Sequence, residues 1–245
     1  MDKKRAQQIA EDLAGNIRSV IKGKDDIIRK ILAALFAGGH VLLEDVPGTG
    51  KTTLAKTIAK SIGTDFRRVQ FTSDLLPSDL LGISIYSQKD NAFSFNKGPI
   101  FTNILLADEI NRANPRTQSA LLEAMGEQQI TIEGRKYPLS QLFFVIATEN
   151  PIESHGTYPL PESQVDRFMV KLSPGYVSQA DEIRIISDQL LTHPIDTVNA
   201  VVDENAIFNI MARVKSVQIS EELLAYIVRI ISATRQDHSI LVGAS

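Results

Sequence analysis

The run HVLLEDVPGTGKTTLAKTI, from His40 to Ile58, restricts the fold more than any other stretch of the 245 residues. Val41-Leu42-Leu43 has the length and apolar character of a short buried strand, and Thr53 to Ala59 begins a helix. Between them lie Gly48, Gly50, Lys51 and Thr52. Strand, glycine loop and helix in that order form the setting of a phosphate-binding loop. Glycines let the main chain curl so that successive N–H groups converge on anionic oxygens. Lys51 is expected against the β- and γ-phosphates of a nucleotide, and the Thr52 hydroxyl on Mg²⁺. The pattern G-x-x-x-x-G-K-[ST] has one departure, because Asp45 stands where it calls for Gly. Asp tolerates unusual backbone angles better than most residues, which lets the loop close.

Upstream, Ile9, Leu13 and Ile17 recur at helical spacing over residues 3–21, and Ile27, Ile28, Ile31, Leu32 and Leu35 predict a second helix. Downstream, strands are predicted at 66–71, 103–107, 142–147 and 168–172. Residues around SQKDN (near 83–97) and QITIEGRKYPL (near 129–139) read as hairpins. Asn114-Pro115 predicts a helix start, with Asn as cap and Pro at the first helical position. After Ser173-Pro174-Gly175 the strands stop. Ser178 followed by Asp181 marks a helix start, and two further helical patterns run near 204–215 and 221–235. The expected architecture is an α/β core with a five-stranded parallel sheet over residues 1–175, then a helical domain over 176–245.

Composition removes several classes of function. The chain has no cysteine, which excludes disulfides, thiolate catalysis and cysteine-based zinc sites. His40, His155, His193 and His238 are too scattered for a local metal motif. A net charge of −3 gives no basic signature for nucleic acid or membrane surfaces. Lys3-Lys4-Arg5 and Arg67-Arg68 read as solvated surface. The apolar run Ile31 to Leu43 is interrupted by Gly38-Gly39-His40 and is too short to span a bilayer. The first residues carry no secretion signal, so a cytoplasmic location is expected.

Four further positions bear on the chemistry. Asp108-Glu109 directly follow the apolar run NILLA, at the strand end where open α/β sheets bind ligands. Asp108 is expected to hold Mg²⁺ through its water shell, and Glu109 to take a proton from an attacking water. Asn150, after LFFVIAT, can position that water or contact the γ-phosphate, or serve simply as a turn residue before Pro151. Arg167, after PESQVD, can stabilise charge developing on a γ-phosphate, or be an ordinary surface ion-pair residue.

In order along the chain, GGHVLLEDVPGTGKTTLAK, VQFTSDLLPSDLLG, FNKGPIFTNILLADEINRANPRTQSALLEAM, FFVIATENPIE and GTYPLPESQVDRF resemble the AAA+ ATPases, and within them the MoxR family. The resemblance covers most of residues 20–245. It implies an AAA+ P-loop core, ATP and Mg²⁺ as cofactors, and a nucleotide loop of Pro47, Gly48, Thr49, Gly50, Lys51, Thr52 and Thr53. Lys51 and Thr52 are similar to the Walker A pair, Asp108 and Glu109 to Walker B, and Asn150 to sensor 1. Arg167 resembles the arginine finger, which in this superfamily reaches a neighbouring subunit's nucleotide. Val20, Ile21 and Gly23 fall where the family contacts adenine, and apolar packing accounts for them as well. The two hairpins resemble inserts that commonly face a central pore, with trimming of the main sheet as the alternative. Family members continue after Gly243-Ala244-Ser245 with Pro-Arg, the sensor 2 arginine, so residues 176–245 are expected to be only the start of the lid.

Three functions follow. The resemblance implies a ring-forming ATPase of hexameric type, which remodels or activates a client protein beside a partner bearing a von Willebrand factor A domain. A nucleic-acid motor is the second, opposed by the acidic balance and the lack of an added DNA-binding module. A nucleotide-dependent switch or scaffold is the third, opposed by the joint presence of Glu109, Asn150 and Arg167.

Overall fold

The computed structural model describes residues 1–44, 46, 48–88, 91–151, 156–190, 192–240 and 243–244. Asp45, Pro47 and His155 fall outside them.

Two amphipathic helices lead in. α1 (Lys3–Val20) starts at Asp2, whose carboxylate accepts the Arg5 N–H at 2.7 Å, and α2 (Asp25–Ala37) stops at Gly38. The chain then enters β1 (Val41–Glu44), α3 (Lys51–Ile62) and β2 (Phe66–Gln70). A short helix α4 (Pro77–Leu81), which the sequence patterns do not predict, leads into the hairpin β3 (Gly82–Ser87) and β4 (Ala92–Lys97). Next come β5 (Ile104–Asp108) and α5 (Pro115–Glu127). As expected, the Asn114 side chain caps α5, accepting from the N–H groups of Arg116 and Thr117. The second hairpin, β6 (Gln129–Ile132) and β7 (Arg135–Pro138), precedes β8 (Phe144–Glu149). A single-turn helix α6 (Glu162–Val165) and β9 (Val170–Leu172) complete the α/β part. Phe168, expected in that last strand, lies before it, buried in the core.

Five strands form one parallel sheet in the order β2-β5-β8-β1-β9. Both faces are covered, which is why the central strands run apolar at consecutive rather than alternate positions until their carboxyl ends. Val41 and Leu43, Ile104 and Leu106, and Phe144 and Ile146 pack with α1, α2 and α3 on one face. Leu42, Leu105, Ala107, Val145 and Ala147 pack with Leu121, Leu122 and Met125 of α5 on the other. Fully burying one such side chain contributes roughly 1.5–3 kcal/mol, so this two-sided core fixes the strand ends that carry the site.

The hairpins pair only within themselves and add nothing to the main sheet, which removes sheet trimming as their explanation. They meet each other through Phe95 and Tyr137, whose ring centroids are 4.2 Å apart.

Beyond β9 the described chain is helical: α7 (Gln179–Asp188), α8 (Glu204–Lys215) and α9 (Glu221–Gln236). Ile207 and Ile210 of α8 join the core cluster of α1 and α2, whereas α7 and α9 bury no residue. Among the described residues no helix is long and apolar enough to cross a membrane.

Candidate nucleotide site

The loop from β1 to α3 rises at the carboxyl end of the sheet. Gly48 and Gly50 both have positive φ, at 87° and 84°, a region that costs side-chain-bearing residues strain. A Cβ added at either would meet nothing within 4 Å. The constraint is therefore backbone curvature, with open space above it. Gly50 is the N-cap of α3 and offers no side-chain acceptor to the helix's first N–H groups. The positive end of the helix dipole there favours an anion. Lys51 donates to the Val46 carbonyl at 2.8 Å, and Thr49 donates to the same oxygen at 3.3 Å. The loop thus braces itself.

A cavity of about 380 Å³ opens beside it, within the size range of small-ligand sites. Lys51 and Thr52 face it from the loop, Asp108 and Glu109 from the end of β5, and Asn150 from the end of β8. Five of the six residues expected to carry the chemistry therefore converge. The adjacency follows from sheet order, since β5 and β8 are neighbours and β8 also pairs with β1.

Thr148 holds the acidic pair in place. Its hydroxyl donates to Asp108 Oδ1 at 2.6 Å and accepts the Glu109 N–H at 2.8 Å. Glu109 itself is in the left-handed region, φ 56°, so the chain turns sharply between the two carboxylates and aims them differently. The Glu109 carboxylate accepts from Gln70 Nε2 at 2.7 Å and pairs with Arg112 at 3.0 Å. Asp108 Oδ2 accepts from Arg68 Nη2 at 2.6 Å and Nε at 3.1 Å. Arg68 is thus no idle surface charge, contrary to the expectation for Arg67-Arg68. None of Arg68, Gln70, Arg112 and Thr148 stands out in the sequence. The one available signal is the two-residue spacing that puts Arg68 and Gln70 on the same face of β2.

Glu149 also borders the cavity. Burial pushes its carboxyl above the ordinary value, with Lys171 opposing and Glu44 reinforcing the shift. Asn150 is buried, and its carbonyl accepts from the Asn111 side chain at 3.4 Å.

A second cavity of about 500 Å³ shares Gly48, Gly50 and Thr53 with the first and extends towards α7. Val20 and Ile21, two of the three residues expected to contact adenine, line it together with Thr49 of the loop. Gly23 does not. It has φ +67°, and an added Cβ would fall 2.7 Å from Asp181 Oδ2, so it is backed against α7. Pro47 lies outside the described residues.

Arg167 stands apart. It is exposed and does not line the cavity that holds Lys51 and Glu109. Its Nη1 donates to the Leu122 carbonyl of α5 at 3.3 Å, and the guanidinium lies over Gly126, where an added Cβ would come within 2.4 Å of Nη1. Below this perch, His40 ties α5 to the sheet: its Nδ1 accepts the Val145 N–H at 3.1 Å and Nε2 reaches the Met125 carbonyl at 3.4 Å.

A glycine loop on a helix N-terminus, facing paired carboxylates across a parallel sheet, defines a P-loop nucleotide-binding protein. Residues 40–170 match the ATPase family associated with various cellular activities (AAA). The chain is 51% identical to the uncharacterized protein YeaC of Bacillus subtilis over 94% of its own length and 72% of that protein's. It is 41% identical to Chaperone MoxR1 of Mycobacterium tuberculosis, over 91% of this chain and 59% of the relative. A crystal structure of a provisionally assigned ATPase from Cytophaga hutchinsonii superposes with a TM-score of 0.86 at 40% identity, covering 99% of this chain and 77% of that one. The chain belongs to the MoxR family of AAA+ ATPases.

Proposed function

We propose that this protein hydrolyses ATP with Mg²⁺ at interfaces between copies of itself and uses the cycle to remodel or activate a client protein. One observation carries the reading: the residues for holding and cleaving the nucleotide share one cavity, while the arginine for transition-state charge is perched outside it.

The residues present suit a magnesium nucleotide. Gly48 and Gly50 leave open space at the N-terminus of α3, and Thr52 with Asp108 offers hard oxygen ligands, as Mg²⁺ requires. Thr52 and Asp108 would hold Mg²⁺, which would supply positive charge against the phosphates. Lys51 neutralises the β- and γ-phosphates, and the loop amides orient them. Glu109, released from Gln70, accepts the proton of the attacking water, and Asn150 orients that water as an uncharged donor. Arg167 acts on a neighbouring protomer's γ-phosphate. Exposure suits this role, because a guanidinium that must reach across an interface cannot be buried in its own core.

The client-remodelling role is supported by the name of one relative, a chaperone, and a hexameric ring acting with a von Willebrand factor A domain partner extends the same reading. Its test is ATPase rate against protein concentration, with and without DNA. A cooperative rise with concentration and no response to DNA is expected. A rate per protomer that is independent of concentration overturns the shared site, and stimulation by DNA replaces the client protein with a nucleic-acid track. Lys51→Ala should lose ATP binding in calorimetry; unchanged affinity removes the loop from the mechanism.

A further inference from the structure

Arg68 is seated on Asp108, the carboxylate read as the one that would hold the divalent cation. The two carboxylate oxygens are both committed: Oδ1 accepts from Thr148, and Oδ2 accepts two N–H groups from one guanidinium, at 2.6 and 3.1 Å. The fork is a directed contact rather than a passing ion pair. Arg68 borders the same cavity as Lys51 and Thr52, and its Nη2 also donates to Gln70 Oε1 at 2.8 Å. Gln70 in turn donates to Glu109. A single side chain therefore touches the metal-binding carboxylate directly and the proton-accepting carboxylate through one intermediary.

We infer that Arg68 is a built-in competitor for the metal: it neutralises Asp108 while no divalent cation is bound and must release Oδ2 when a magnesium nucleotide arrives. The inference rests on the reading of Asp108 as the metal carboxylate. Charge explains why a competitor belongs here. Asp108 is only 12% exposed, and a carboxylate that far from water is costly to leave unpaired. The partner is differently placed, since 47% of the Arg68 side chain is exposed, so a displaced guanidinium regains water at little cost. A pair with one solvated member is weak enough to be displaced. Release of Arg68 also removes one of the contacts that orient Gln70, which links metal arrival to the freeing of Glu109.

The consequence is that the metal requirement is tuned by Arg68. Binding of a non-hydrolysable ATP analogue, followed by calorimetry while free Mg²⁺ is varied, gives the Mg²⁺ concentration at which the affinity gain is half complete. In Arg68→Gln that concentration should fall about three- to tenfold, as expected for loss of a half-exposed ionic competitor. Arg68→Lys, which keeps the charge but not the fork, should lie between Arg68→Gln and the unaltered protein. An unchanged or higher Mg²⁺ requirement in Arg68→Gln, in protein that melts as the unaltered chain does, overturns the inference. Asp108→Asn separates this failure from that of the underlying reading. If Asp108→Asn removes the Mg²⁺ effect while Arg68→Gln does not shift it, Asp108 keeps its role and Arg68 loses its own. If Asp108→Asn leaves the Mg²⁺ effect intact, the assignment of Asp108 fails, and the inference with it.

Discussion

The cavity at the ends of β5 and β8 and the perch of Arg167 on α5 are built on opposite principles. In the cavity Asp108 and Glu109 each have two named partners within 3.1 Å, and Thr148 locks the pair to the neighbouring strand. The perch has one described hydrogen bond, to a backbone carbonyl, and its side chain is exposed. Preorganisation is concentrated where a substrate must be held, because hydrogen bonds set in advance need no reorganisation during reaction. The exposed side is the one on which Arg167 is proposed to meet a second molecule.

The largest effect should come from breaking the exposed side. Arg167→Ala should keep nucleotide affinity yet lose turnover by on the order of 10³-fold or more. Mixing it with Lys51→Ala should restore part of the activity, because one kind of interface then joins an intact cavity to an intact arginine. Absence of recovery in mixed assemblies would put Arg167 in cis and erase the contrast.

On the cavity side, Glu109→Gln should retain ATP and slow its cleavage by roughly 10²–10⁴-fold, read by single-turnover hydrolysis. Turnover at the unaltered rate would place the proton acceptor elsewhere.

His40 joins the two regions and makes that junction acid-sensitive. Burial lowers its pKa from 6.5 to about 4, against a smaller opposing effect of the Met125 carbonyl. The unfolded chain therefore binds a proton between those values that the folded chain refuses. Stability from this group is fully present above about pH 6.5 and is lost as pH falls towards 4, by about 2–4 kcal/mol. Glu149, whose carboxyl is raised, works in the opposite sense. Urea denaturation at pH 7.5 and 4.5 should show the loss, and His40→Gln should reduce the difference. Equal pH dependence in the two proteins would acquit His40.

The smallest effect is the sharpest probe of the perch. Gly126→Ala should stabilise α5 by up to about 1 kcal/mol through helix propensity, while its methyl displaces the Arg167 guanidinium. A higher melting temperature with turnover reduced several-fold is the expected pair of results. Full activity would show that the seat over Gly126 does not matter.

Most of this architecture was legible along the chain, and the reasons differ by element. The phosphate loop declares itself because its geometry is local: two glycines, a lysine and a threonine need only a strand before and a helix after. Asn114 as a cap is equally local, one side chain meeting N–H groups two and three residues on. Arg68, Gln70 and Thr148 gave no such sign. Gln70 meets Glu109, and Thr148 meets Asp108, across 39 and 40 residues respectively.

Sequence by itself therefore determined the loop, the alternation of strands and helices and the identity of the paired carboxylates, since each depends on contacts within a turn or two of chain. Only the tertiary structure decided that β2 lies beside β5 rather than beside β1. That choice brings Arg68 to Asp108 and Gln70 to Glu109. Strand order is set by how apolar faces are buried between distant segments, a property of the whole core that no single window of residues contains.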